Sequence, residues 1–162
     1  MRELTPQQRR RAAGIAAGVA VVAAPFEGMR QVAYYDPPGI LTVCYGHTGA
    51  DVVKGKVYTP AECRALLHKD AIEAAETVER CAPGLPDSVA VAFADAVFNI
   101  GPRIVCDQAN STAARLLQAK RYEDACRQLP RWNKTTIAGR LVELPGLTRR
   151  RAAEMAYCLQ GA

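Results

Sequence analysis

Histidine is scarce in this chain. Only His47 and His68 occur, and no two of the six cysteines stand in a CxxC spacing. A zinc site needs converging nitrogen and sulfur ligands, commonly supplied as such close pairs, so metal ligation drops out of the function classes. Also missing is any dense basic stretch interleaved with aromatics. The tight cationic runs, Arg9-Arg10-Arg11 and Arg149-Arg150-Arg151, do not make a nucleic-acid footprint. There is no internal repeat and no low-complexity linker beyond an alanine-rich start, which excludes solenoids and arrays. No apolar run reaches the roughly 20 residues that span a bilayer comfortably.

What is present fits one folded domain. A chain of 162 residues is long enough to bury roughly two-thirds of its unfolded surface without help from metals. The composition, 49% hydrophobic and 23% charged, is that of a globular protein. A formal net charge of +5 favours an anionic partner through a long-range attraction that salt weakens. The anionic bacterial wall and lipid headgroups both qualify. Six cysteines (Cys44, Cys63, Cys81, Cys106, Cys126, Cys158) are many for this length. Their even number suggests three disulfides made outside the cytoplasm, with a set of buried thiols as the alternative.

Along the chain, residues 12–26, AAGIAAGVAVVAAPF, carry no charged or strongly polar side chain and follow three arginines. Two readings stand. One is an export or membrane segment with a positive inner flank. The other is the apolar first helix of a soluble fold, with Thr5 as N-cap, Pro6 at the first helical position and Gln8 closing a capping box. As an anchor the segment is marginal: Ile15, Val19, Val21, Val22 and Phe26 together supply about −2 kcal/mol of insertion free energy. A small-residue cleavage site at Val21-Val22-Ala23 is a further alternative.

Residues 28–58 change character, with Asp36-Pro37-Pro38-Gly39, β-branched and aromatic residues and Gly46, Gly49 and Gly55. Short strands joined by turns are expected. Thr59-Pro60-Ala61-Glu62 is a second capping box and opens a helix expected over residues 59–80, stopped by Pro83 and Pro86. At about 1.5 Å per residue that helix is on the order of 30 Å long, enough to join two lobes. Beyond it the chain reads as helices over residues 88–100, 112–119, 122–129 and 148–159, joined by short loops. The fold class is therefore α+β.

Two carboxyl groups have contrasting surroundings. Glu27 follows the apolar run, where desolvation would raise its pKa and keep it protonated; Asp36 lies in a polar turn that leaves it ionised. Such a pair suits glycoside hydrolysis, which needs one carboxylic acid to protonate the leaving oxygen and one carboxylate on the opposite face. The pair alone is weak, but the words around it are specific. The stretch PFEGMRQVAYYDPPGILTVCYGHT, residues 25–48, resembles the active-site segment of phage-type lysozymes, glycoside hydrolase family 24. The resemblance continues through TPAECRALLHKD (59–70), FNIG (98–101), RYEDACRQLPRW (121–132) and PGLTRRRAAE (145–154).

That resemblance implies a lysozyme-like fold, with a small β-containing lobe and a larger helical lobe joined by the long helix. It implies a muramidase cutting the β-1,4 bond of peptidoglycan by an inverting mechanism, without a cofactor. By position Glu27 would be the general acid, Asp36 the general base or electrostatic partner, and Thr42 the residue that holds the attacking water. His47 and Asp70 match a structural ion pair, with His47 as a proton shuttle the alternative. Asn99 matches a substrate contact, or else caps its helix. The implied disulfides are Cys44 with Cys63, Cys81 with Cys106 and Cys126 with Cys158. Residues 1–26 would be an export and anchor segment of the signal-arrest-release kind, doubling as the first helix, and residues 27–162 the catalytic domain. The expected setting is the inner membrane and then the periplasm, in cooperation with a holin or pinholin, as a monomer that binds no nucleic acid. Rival readings are a lytic transglycosylase and a non-catalytic peptidoglycan-binding protein of the same fold.

Overall fold

A computed structural model describes residues 3–26 and 28–162. Helix α1 (Pro6–Ala23) starts as its capping box directs: the Gln8 amide donates to Thr5 Oγ1 at 3.2 Å, and the Thr5 amide donates to the Gln8 side chain at 3.0 Å. Ala12, Ile15, Ala16, Val19 and Ala23 form its buried stripe, the spacing of one helical face. Gly18 lets this face approach closely, because a Cβ there would sit 2.7 Å from a Val91 methyl. Among the described residues no helix is long and apolar enough to cross a membrane.

A small antiparallel sheet follows, with strands β1 (Arg30–Tyr35), β2 (Leu41–Cys44) and β3 (His47–Thr48) in that order. Thr42 pairs with Tyr34 on one side and with Thr48 on the other. The turn between β1 and β2 is Asp36-Pro37-Pro38-Gly39. Gly39 adopts a φ of 85°, which a glycine reaches at no steric cost.

Helix α2 (Pro60–Cys81) begins at the second capping box, around Thr59 and Glu62. It joins two cores. Its Cys63 lies in the small β-lobe core with Val43, Cys44, Val52 and Tyr58. Its Ala71, Ala74, Ala75 and Val78 lie in the large helical core. The centre of that core is α3 (Asp87–Ile100), buried without a break from Val89 to Val97. Short helices α4 (Arg103–Cys106), α5 (Thr112–Gln118) and α6 (Tyr122–Cys126) and a 3-10 turn (Leu129–Arg131) complete one side. Ser111 caps α5 by accepting from the Ala114 amide, so Asn110-Ser111-Thr112 starts a helix.

Three expectations need correcting. The helix expected over residues 122–129 stops at Cys126, before the 3-10 turn, and a hairpin of β4 (Lys134–Ile137) and β5 (Arg140–Glu143) follows where a loop was expected. Most of this hairpin is exposed, so little hydrophobic alternation marks it in the sequence. The last helix, α7 (Pro145–Cys158), begins one turn earlier than residue 148, with Pro145 in its first turn.

The cysteines are joined as Cys44–Cys63, Cys81–Cys106 and Cys126–Cys158, the pairs that the family resemblance implies. The first ties β2 to α2, the second α2 to α4, and the third α6 to α7.

Candidate active site

A groove of about 640 Å³ runs between the lobes, with Asp36, Ile40 and Thr48 on the β side and Phe98, Asn99 and Leu147 on the helical side. Sharing Thr48, Val97 and Phe98, it continues into a pocket of about 270 Å³ above Asp70, Glu73 and Thr77 of α2. Sharing Asn99, Leu144 and Leu147, it opens at the other end into a recess of about 550 Å³ lined by Phe26 and Arg150. A long, open trough of this kind suits an extended polymer better than a small enclosed ligand.

Asp36 stands at the groove, held by its own turn. Its Oδ1 accepts from the Ile40 amide at 2.7 Å, its backbone N–H donates to Ile40 O at 3.0 Å, and Gly39 N–H donates to Asp36 O at 2.8 Å. One carboxylate oxygen is thus fixed by the backbone. Thr42 is placed differently. It is 3% exposed, and its hydroxyl donates to Ile40 O at 3.0 Å. Cross-strand partners point to the same face, so Thr48 stands beside Thr42, and of this pair Thr48 lines the groove. Sequence reading missed Thr48 because only the strand register shows that it stands beside Thr42. Glu27, the expected acid, lies outside the described residues; its chain neighbour Phe26 lines the recess at the groove's end.

His47 is buried, and both ring nitrogens meet carboxylates: Nδ1 lies 2.7 Å from Asp70 Oδ2 and Nε2 lies 3.1 Å from Asp51 Oδ1. Its hydrogen bond holds the Asp51 carboxyl below its usual range, while burial pushes Asp70 up against the pull of the same histidine. Asp70 belongs to α2 and Asp51 to the loop after β3, so His47 ties its strand to the long helix through one nitrogen and to its own loop through the other. Asn99 does not cap α3, whose C-cap is Gly101 at φ 84°. Its Oδ1 instead accepts from Arg151 Nη2 at 3.0 Å.

Beneath the groove lies a buried ionic cluster. Arg150 grips Asp95 with two hydrogen bonds, at 3.1 and 2.8 Å. It also lies 5.8 Å from the Phe26 ring centre and 5.7 Å from that of Phe98. Arg151 is hydrogen-bonded to Glu154. Burial, helped by a hydrogen bond with Asp95, pushes the Glu154 carboxyl up to about 9. The folded state therefore holds a proton that the unfolded chain, at the ordinary 4.5, gives up. Stability contributed by this group is present below the unfolded value and falls as pH rises from about 4.5 towards 9. Melting curves should show this: Glu154→Gln should lose less stability than wild type between pH 5 and pH 9. Parallel curves for the two proteins would contradict the assignment.

The Phage lysozyme family model matches residues 24–154, and with them the groove and the buried cluster. The chain belongs to the phage lysozyme family. It is 40% identical to a SAR-endolysin of Bacteriophage PS119 over 136 residues, covering 83% of this chain and 77% of that protein. Its fold matches the muramidase domain of SpmX from Asticaccaulis excentricus with a TM-score of 0.74 at 30% identity, over 88% of this chain and 95% of that one. An endolysin from Escherichia coli O157:H7 phage FAHEc1 superposes equally well, with a TM-score of 0.74 at 26% identity, over 88% and 90% of the two chains. The enzyme is a lysozyme glycosidase of the endolysin class.

Proposed function

We propose that this lysozyme hydrolyses the β-1,4 bond between N-acetylmuramic acid and N-acetylglucosamine in peptidoglycan, with Glu27 as general acid, Asp36 as general base and Thr42 as the residue that holds the attacking water. The observation that carries the reading is the open trough between the lobes, with Asp36 on one wall and Asn99 on the other. Because the Ile40 amide occupies Asp36 Oδ1, Oδ2 is the oxygen free of that bond to take the water's proton. Thr42 gives its hydroxyl hydrogen to Ile40 O, so its lone pairs are left to accept from a water. An inverting cut would hold the two carboxyls roughly 6.5–9.5 Å apart, leaving room for that water.

We further propose that residues 1–26 form the export segment and residues 27–162 the catalytic domain. The enzyme is exported, held at the inner membrane by its N-terminal segment, and then released into the periplasm, where it acts as a monomer after a holin or pinholin has disturbed the membrane. The name of the PS119 relative supports this, as does the weakly apolar run behind Arg9-Arg10-Arg11. Cleavage near Ala24 would remove α1, whose Ala12, Ile15, Ala16 and Val19 belong to the large core, and an anchor of marginal insertion energy can leave the bilayer intact.

One preparation tests both parts. Active enzyme recovered from the periplasm should keep its original N-terminus by mass and N-terminal sequencing, and its wall digest should end in reducing sugars. A chain starting near Ala24 would sink the anchor reading. Anhydro sugar ends would make the enzyme a lytic transglycosylase.

A further inference from the structure

Arg151 is fully buried, yet its Nε and Nη1 have no hydrogen-bond partner among the described residues. A buried guanidinium with unmet donors is costly, and groups of this kind call for an explanation. Its Nη2 serves two acceptors, the Glu154 carboxyl and Asn99 Oδ1. Glu154 is itself fully buried. Asn99 is the contact that reaches a surface, and that surface is shared by the central groove and the recess beside Phe26.

A guanidinium can only donate. It therefore turns the Asn99 oxygen inward and leaves the amide nitrogen, a pure donor, as the other end of the carboxamide. We propose that Arg151 is a positioning residue which, through Asn99, presents an N–H donor to substrate in the cleft, where it meets an oxygen acceptor of the glycan such as the carbonyl of an acetamido group. The proposal rests on the glycan reading above. An unanchored carboxamide can turn over at little steric cost, because its oxygen and nitrogen are similar in size, and it would then offer an acceptor to an acceptor. Arg151 removes that choice before substrate arrives, so none of the binding interaction is used to orient the side chain.

The test compares three variants on soluble, uncrosslinked peptidoglycan strands. Arg151→Met/Glu154→Leu removes the buried guanidinium together with the carboxyl that accepts from it, so neither partner of that hydrogen bond is left alone. It should raise KM about 3- to 10-fold, the worth of one neutral hydrogen bond, with kcat changed less. The same double change made in an Asn99→Ala background should raise KM no further. Asn99→Asp keeps an acceptor for Arg151 but loses the donor, and should raise KM as much as Asn99→Ala while its melting temperature holds. A wild-type KM in Asn99→Asp overturns the proposal, as does an equal loss from the double change with and without Asn99. Should the double variant fail to fold, the Asn99→Asp comparison decides alone. Failure of the glycan reading would show separately, as wild-type enzyme that leaves these strands uncut.

Discussion

Glu27→Gln should abolish wall lysis and leave the melting temperature within a few degrees of wild type. The leaving sugar departs as an alkoxide unless a proton reaches its oxygen, and an amide has none to give. General acid catalysis is worth about 100- to 10,000-fold, so turbidity loss of purified walls should slow at least 100-fold. Water and the remaining cleft contacts cannot make up that loss, because stabilisation confined to the transition state vanishes with the group that supplies it. A variant that keeps a tenth of wild-type activity would place the acid elsewhere in the groove. The melting temperature is the control, since it distinguishes loss of chemistry from loss of fold.

Removing the Cys44–Cys63 bond should cost activity through the β-lobe and leave the helical lobe standing. The core of that lobe is Val43, Cys44, Val52, Tyr58 and Cys63, so two of its five buried residues are the disulfide itself. The bond closes a loop with a sequence separation of 19, for which the chain-entropy model gives about 3 kcal/mol. Cys44 also holds a φ of 60°, a left-handed conformation unfavourable for any residue with a Cβ, which the surrounding structure must maintain. Without the bond, the ordered population of the lobe that carries Asp36 and Thr42 should fall by up to about 100-fold. Cys44→Ala/Cys63→Ala should therefore lyse walls at least 10-fold more slowly at 37 °C and exchange the amides of β1 and β2 faster, while α3 stays protected. Unchanged lysis and unchanged exchange in β1 and β2 would show that the lobe is held without the bond.

Much of the fold can be read along the chain because its signals are local. Thr5-Pro6-Gln7-Gln8 and Thr59-Pro60-Ala61-Glu62 each carry a complete helix start within four residues, and α1 and α2 begin there. The turn at Asp36-Pro37-Pro38-Gly39 is set by residues that restrict or relax φ, whatever surrounds them. The order of the family's motifs likewise needs no coordinates, and it placed Asp36, His47, Asp70 and Asn99 as candidates before their neighbours were known.

Other features depend on residues far apart in sequence. The hairpin of β4 and β5 has few buried side chains, so no hydrophobic alternation announces it; pairing between its strands makes it. Thr48 joins the groove because β3 pairs with β2 in one register, and a shift of one residue would turn it away. Asn99 reads equally as a helix cap or as a cleft residue until Arg151, 52 positions later, takes its oxygen. The charges of Asp95, Arg150, Arg151 and Glu154 look like an ordinary solvated helix surface in the sequence. Only the packing of α7 on α3 buries them, and burial raises the Glu154 carboxyl and fixes the orientation of Asn99. Capping, turn chemistry and motif order were determined by the sequence alone, since each depends on neighbours within a few residues. Register, burial and the electrostatics that follow from burial were decided by the tertiary structure, because they depend on which distant surfaces exclude water from one another.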